Sequence, residues 1–310
     1  MADTESSVTH TSAPPPPGWP AVVARGLVKR FGDKTAVAGI DLDVPRGCFY
    51  GLVGPNGAGK TTSIRMMTGL MRPDGGQVWV EGRDVWADPV AVKSRIGVLP
   101  DEFRLFDRLT GAELLDYCGL LRGMAPAVVA ERARELLDVL DLAGAADTFV
   151  VDYSTGMRKK IALAAAVLHG PSVLFLDEPF EAVDPVSTRV IRSLLERFTA
   201  SGNTVVFSSH VMEVVERICD RVGVVHQGRV IAEGATDDLR GGRRLEDVFV
   251  ELVGAGAADT GSIDWLGQLP VAQPSASAQP SPSAPDASSD PDAAPAPRAP
   301  GDPADPASPW

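Results

Sequence analysis

Gly51-Leu-Val-Gly54-Pro-Asn-Gly57-Ala-Gly59-Lys60-Thr61-Thr62 is the stretch from which the rest of the chain is read. From Gly54 to Thr61 it spells Gly-x-x-x-x-Gly-Lys-Thr, directly after the apolar run Phe49–Val53 and ahead of the helical sequence Ser63–Thr68. A strand, a glycine-rich loop and a helix in that order make a P-loop, in which glycines let successive backbone N–H groups point inward at a polyphosphate. The following helix adds its positive N-terminus, Lys60 reaches the β- and γ-phosphates, and Thr61 offers a hydroxyl to Mg²⁺. Gly54, Pro55, Asn56, Gly57, Ala58, Gly59, Lys60, Thr61 and Thr62 are therefore the candidate nucleotide cradle. With 31 Gly and six Lys in 310 residues, the four fixed positions coincide by accident in about one such chain in a hundred, before the strand and helix are demanded.

Outward from this segment, short β-branched runs at Val22–Leu27, Cys48–Val53, Ile96–Leu99, Val173–Leu176, Thr204–Phe207 and Val222–Val225 read as strands, several followed by helical periodicity. That alternation predicts an α/β fold, a P-loop NTPase core with a mostly parallel sheet and helices on its faces. Phe103 to Leu142 has no convincing strand. Its clearest helix enters at Pro126 and sets Val129, Ala133, Leu136, Leu137 and Leu140 on one stripe, so a helical subdomain inserted in the core is expected.

Two further stretches carry chemistry. Val173-Leu-Phe-Leu-Asp177-Glu178-Pro ends an apolar strand in adjacent carboxylates. Beside a P-loop, the first can hold Mg²⁺ through water and the second can polarise an attacking water, although alone such a pair is an ordinary solvated strand end. Tyr153-Ser154-Thr155-Gly156-Met157 precedes a helix with an apolar face, and by itself reads as a serine N-cap. His210 follows the strand Thr204–Phe207 and precedes a helix over Val211–Cys219, which places it at the carboxyl edge of a parallel sheet. His10, His169 and His226 have no comparable setting.

In order, Gly54–Thr62, Tyr153–Met157, Val173–Glu178, Ala182-Val-Asp184 and Ser208-Ser-His210 resemble the motifs of the ATP-binding subunits of ABC transporters, over about residues 21–254. The resemblance implies antiparallel β elements at the N-terminal side of the core and a helical subdomain at about 103–170. It also implies an ATPase that dimerises with ATP, Ser154, Thr155 and Gly156 of one subunit capping the γ-phosphate that Lys60 of the other holds. Phe31 would then stack on adenine, His210 would touch the γ-phosphate, Asp184 would cross the dimer, and Asp177 and Glu178 would serve Mg²⁺ and water. The pattern departs twice. Asp101 stands where the family often has Gln, as in some exporter ATPases, and could hold a water on Mg²⁺; Thr155 and Met157 replace the commoner Gly and Gln.

The resemblance further implies transport driven through a separate integral-membrane permease, contacted by the exposed side of Phe103 to about Val150. Export is the favoured direction, because Arg244-Leu-Glu-Asp-Val-Phe-Val-Glu-Leu is similar to the terminal helix of subunits serving separate permeases; as a helix it sets Leu245, Val248, Phe249 and Leu252 on one face. A homodimer is the default, with a sister ATPase as the alternative. A soluble ATPase of the same type acting on ribosomes or DNA, or a regulatory ATP-binding module, stays open as the alternative function. The single ATPase half and the lack of sustained heptads weigh against the former.

Composition bounds these readings. A net charge of −12 excludes a bare nucleic-acid binder. Cys48, Cys118 and Cys219 fit neither a disulfide framework nor paired zinc ligands, so a reducing, cytosolic compartment is expected; the resemblance implies a peripheral position on the inner face of the membrane, through the permease. Residues 1–20 lack the pattern of a targeting segment, and Ile161 to Leu168 is too short to span a bilayer. Residues 1–20 read as a mobile arm and 255–310 as a disordered tail rich in Ala, Pro, Ser and Asp, which carries half of the net charge.

Overall fold

The computed structural model describes residues 18–101 and 104–254; the expected disordered tail and all but the last three residues of the arm lie outside them. The chain begins with an antiparallel hairpin, β1 (Val22–Phe31) and β2 (Lys34–Val44), followed by β3 (Phe49–Val53) and α1 (Lys60–Met67). β4 (Gly75–Val80) and β5 (Arg83–Asp84) return to the hairpin and complete a four-stranded antiparallel sheet in the order β2-β1-β4-β5. α2 (Pro89–Lys93) leads to β6 (Ile96–Leu99), after which come α3 (Gly111–Leu121), α4 (Pro126–Val139) and α5 (Thr155–Val167) before β7 (Val173–Asp177). α6 (Pro185–Ala200), β8 (Thr204–Ser209), α7 (Met212–Ile218), β9 (Arg221–His226), β10 (Arg229–Ala235), α8 (Thr236–Arg240) and α9 (Leu245–Val253) finish it.

The second sheet runs β10-β9-β3-β8-β7-β6 and is parallel except for the β9–β10 hairpin. Its central strands are buried along their whole length because both faces are covered, the condition under which a strand reads as a continuous apolar run. Successive side chains serve opposite layers. Phe49, Val53, Leu174, Leu176, Val205 and Phe207 pack with the residues of α3 to α7. Tyr50, Leu52, Val173, Phe175 and Val206 pack with α1 and the antiparallel sheet.

Between β6 and β7 the segment is helical. α3 starts in a capping box, in which Thr110 Oγ1 accepts from Glu113 N and Thr110 N donates to Glu113 Oε2. The α4 stripe turns inward as its periodicity requires, with Val129, Ala133, Leu137 and Leu140 buried and Leu136 half-buried. α3 and α4 touch at Gly119, where an added Cβ would lie 2.6 Å from a Val129 methyl.

Boundaries differ from the sequence reading in a consistent way. β1 runs on to Phe31, α1 starts at Lys60 rather than Ser63, and α7 covers Met212–Ile218. β2, β4 and β10 are half-exposed strands interrupted by Gly and polar or charged residues, so they lack the apolar runs that mark the buried strands. On α9, Leu245 and Val248 are buried and Phe249 packs against the core, but Leu252, in the last turn before Gly254, is 41% exposed. No described helix is long and apolar enough to cross a membrane.

Candidate functional site

Parallel strands gather the candidate groups at one edge of the sheet. β3 pairs with β8 so that Val53 faces Ser209, and β7 pairs with β8 so that Asp177 faces Ser208. The loop after Val53, the carboxylates after Leu176 and His210 after Ser209 therefore all leave from carboxyl ends of strands, where ligands of open α/β sheets bind.

The loop 54–59 is braced from outside. Gly59 has φ 109, open to glycine at little cost, and a Cβ there would lie 2.5 Å from Ala36 O. The turn of the β9–β10 hairpin locks it further: Gly228 N donates to Ala58 O and Ala38 N donates to Gly228 O. Lys60 is only 5% exposed and curls back, its Nζ donating to Gly54 O at 2.8 Å and Pro55 O at 3.3 Å. The loop thus presents backbone amides and an ammonium to one space, an anion-binding arrangement.

Asp177 is buried and accepts from the hydroxyls of Ser208 and Thr61, the latter at 3.1 Å. Burial pushes its pKa up; the two hydroxyls draw it back, and the charges of Asp101 and Glu178 add to the rise. Ser208 Oγ also accepts from Glu178 N at 3.0 Å. Glu178 itself has φ 47, a left-handed conformation rare for a residue with a side chain. Its Oε1 lies 3.5 Å from Lys60 Nζ and its Oε2 lies 3.1 Å from His210 Nδ1, an ion-pair distance whose angle does not complete a hydrogen bond.

Lys60, Thr61, Glu178 and His210 line a cleft of about 580 Å³ with Phe31, Lys34 and Ala36 of the antiparallel hairpin, Asn56, Gly57, Gly59, Thr62, Asp101 and Glu181, while Asp177 and Ser208 are buried and are not part of its lining. Phe31 is 48% exposed, with Lys29 Nζ 5.9 Å from its ring centroid, so an aromatic face stands free to receive a flat ring. Gly54 and Pro55 contribute carbonyls to Lys60, and Ala58 is buried behind the loop. Ser154, Thr155, Gly156 and Asp184 do not line it. Ser154 caps α5 by accepting from Met157 N, and Ser154 and Thr155 are exposed. Asp184 caps α6, accepting from Ser187 N and Val186 N, contacts that lower its pKa. Within one chain the two halves of the expected site are thus separate surfaces.

The oxygens fit Mg²⁺. Thr61 and Asp177 offer hard oxygen donors side by side, the kind of ligand Mg²⁺ takes.

Lys34, Ala36, Glu181 and Lys159 join the site without having been singled out in the sequence. Ser208 was quoted there only within the motif that ends at His210; its contact with Asp177 depends on strand register, which no motif reports. Lys159 did leave a signal, as one of six lysines in the chain, placed on the buried side of α5. Its Nζ donates to Glu178 O and Glu181 O; burial pushes its pKa down against the pull of Glu181 and other nearby acids.

A family model described as ABC transporter matches residues 37–181. The chain is 41% identical to the daunorubicin resistance ATP-binding protein DrrA3 of Streptomyces coeruleorubidus, covering 77% of this chain and 76% of that protein. It is 38% identical to the linearmycin resistance ATP-binding protein LnrL of Bacillus subtilis (70% of each) and 37% identical to the Nod factor export ATP-binding protein I of Ralstonia nicotianae (73% and 71%). Among solved structures, an ATP-binding subunit of an ABC transporter superposes with a TM-score of 0.70 at 29% identity, covering 75% of this chain and 99% of that one. A dimeric ATP-binding cassette bound to ADP and Pi has the same fold, with a TM-score of 0.64 at 24% identity over 69% of this chain and 98% of that one. Identity of this order across most of the length, with the phosphate loop and the carboxylate pair on the same sheet edge, places the chain in the family of ABC transporter ATP-binding proteins, as an ATP-binding and ATP-hydrolysing subunit.

Proposed function

We propose that the subunit powers export: it hydrolyses Mg²⁺-ATP at sites shared between two copies and drives a separate integral-membrane permease from the cytoplasmic face. The observation that carries the hydrolytic reading is Glu178, whose two oxygens lie 3.5 Å from Lys60 and 3.1 Å from His210 at the mouth of the phosphate loop. The direction is supported by relatives named for drug resistance and for Nod factor export.

In this mechanism Phe31 stacks on the base, the amides of Gly57 to Thr62 and the Lys60 ammonium bind the β- and γ-phosphates, and Glu178 accepts a hydrogen bond from the attacking water. As the water oxygen bonds to the γ-phosphorus, the bond to the bridging oxygen breaks and Glu178 takes the water's proton; ADP and phosphate result. His210 orients the Glu178 carboxylate. Thr61 and Asp177 would hold Mg²⁺, with Asp101 at the rim. When bound, that ion neutralises charge on the β- and γ-oxygens. Ser154, Thr155 and Gly156 of a second copy close the exposed side of the site, which accords with the exposure of Ser154 and Thr155 and with the absence of all three from the cleft lining in their own chain.

The permease has a surface to meet. Tyr117, Leu120 and Leu121 lie one turn apart on α3 and are 43%, 52% and 73% exposed. Phe106 packs edge-on against Tyr117, centroids 4.9 Å apart, and the exposed Val151 donates its N–H to Asp107 beside it. Such a continuous apolar face marks a protein interface.

Affinity capture of tagged Glu178→Gln protein with ATP from gently solubilised cells tests the reading. A polytopic membrane protein in stoichiometric yield is the expected result. Ribosomes, DNA-repair proteins or no membrane partner would overturn the transporter assignment.

A further inference from the structure

Lys159 lies on α5 little more than a turn beyond the capping residue Ser154 and is 7% exposed. A buried ammonium persists only where acceptors replace its water. Here they come from one short stretch after β7: Nζ donates to Glu178 O at 2.7 Å and to Glu181 O at 2.6 Å. That stretch holds two left-handed residues, Glu178 with φ 47 and Ala182 with φ 54, conformations that last only where the surroundings impose them. Glu178 is gripped from both sides, since its N–H donates to Ser208 Oγ at 3.0 Å while its carbonyl is held by Lys159. With both flanking peptide units fixed, the direction of the Cα–Cβ bond is fixed, and with it the carboxylate between Lys60 and His210.

The same helix is docked at its start. A Cβ on Gly156 would lie 2.8 Å from both Asp184 Oδ2 and Ser187 Oγ, so the first turn of α5 sits flush against the start of α6. α5 therefore touches both ends of the segment from Glu178 to Ser187, through Lys159 and through Gly156.

We infer that Lys159 is a positioning residue for hydrolysis, a tie that links the N-terminal turn of α5 to the backbone of Glu178 and so to the aim of its carboxylate. This rests on the reading of Glu178 as the water-polarising group and of Ser154 to Gly156 as the cap on a nucleotide held by a second copy. It deepens that reading. Each α5 then serves two sites at once, capping the nucleotide bound to the other copy while holding the acid of its own. Arrival of a triphosphate at one site is registered in the geometry of the other.

The test uses the full chain with Mg²⁺-ATP. Lys159→Met keeps the length of the side chain and removes its donors; its kcat should fall about tenfold to a hundredfold, the scale of an ångström-level misplacement. KM for ATP and ATP-dependent dimer formation should stay within about twofold, because no nucleotide contact has been removed. Lys159→Arg, which keeps a charged donor, should recover most of the turnover. Unchanged kcat in Lys159→Met, or a loss of ATP affinity that accounts for the whole drop in rate, would overturn the proposal. Should Lys159→Met not fold, Lys159→Arg against Lys159→Gln decides: the proposal requires a lower kcat for Gln at equal KM, and equal kcat values sink it. Glu178→Gln run in parallel separates the premises: normal turnover there refutes the role of Glu178, whereas a loss there beside an unaffected Lys159→Met refutes the tie alone.

Discussion

At Glu178 one carboxylate meets both Lys60 and His210, so removing its charge while keeping its shape is the informative change. Glu178→Gln should lower kcat about 10²- to 10⁴-fold, the contribution of a general base, with ATP still bound and an ATP-dependent dimer accumulating on size exclusion. Lys60→Ala instead removes the cation that the loop aims at the phosphates, and both ATP binding and hydrolysis should be lost by filter binding and phosphate release. Away from the site, His169 Nε2 lies 3.0 Å from Ile96 O, and its Nδ1 is buried without a partner. Burial first, then the charge of Arg122, lowers its pKa from 6.5 to about 4. The unfolded chain takes up a proton below pH 6.5 that the fold refuses until about pH 4, so stability should fall as pH drops across that window. His169→Gln, which keeps a donor for Ile96 O, should flatten this part of a Tm-against-pH curve.

At the scale of the element, a cap and a close approach in the helical segment between β6 and β7 can be tested directly. Thr110→Ala opens the α3 capping box and should cost about 1 kcal/mol. Gly119→Ala puts a Cβ 2.6 Å from a Val129 methyl, and overpacking of this kind costs about 1–3 kcal/mol. Denaturant unfolding should therefore rank Gly119→Ala as the more damaging, against the intrinsic preference of helices for Ala. The two positions differ in legibility. Thr110 and Glu113 spell their cap locally, with the spacing of a Thr-x-x-Glu box, whereas Gly119 looks like a flaw in α3 until α4 is seen against it. Likewise β3, β7 and β8 were legible as buried apolar runs, while β2, β4 and β10, each with one face exposed and Gly or charge within, were not.

For the whole molecule, the apolar face of α3 sets a surface against the nucleotide cleft that it does not touch. Tyr117→Asp combined with Leu121→Asp should abolish co-purification with the permease and transport in cells, yet leave basal hydrolysis by the purified chain within about twofold. Equal loss of basal hydrolysis would mean that the face supports the fold rather than a partner. Ser154 and Gly156 do not line the cleft of their own chain; under the proposed dimer each copy would hold one half of a site that a second copy closes, and size exclusion of Glu178→Gln with ATP checks it.

The sequence by itself determined the phosphate loop, the carboxylate pair, the cap at Ser154 and the α/β class, because each rests on neighbours within about a dozen residues, where spacing translates directly into geometry. Tertiary structure alone decided what depends on register and on approach between distant segments. Ser208 meets Asp177 because β7 and β8 pair in one register, Gly228 seals the loop from 170 residues away in the chain, and Lys159 reaches Glu178 across a helix–strand contact. Such pairings follow from how the layers pack around the parallel sheet, and no local pattern of residues encodes that distance.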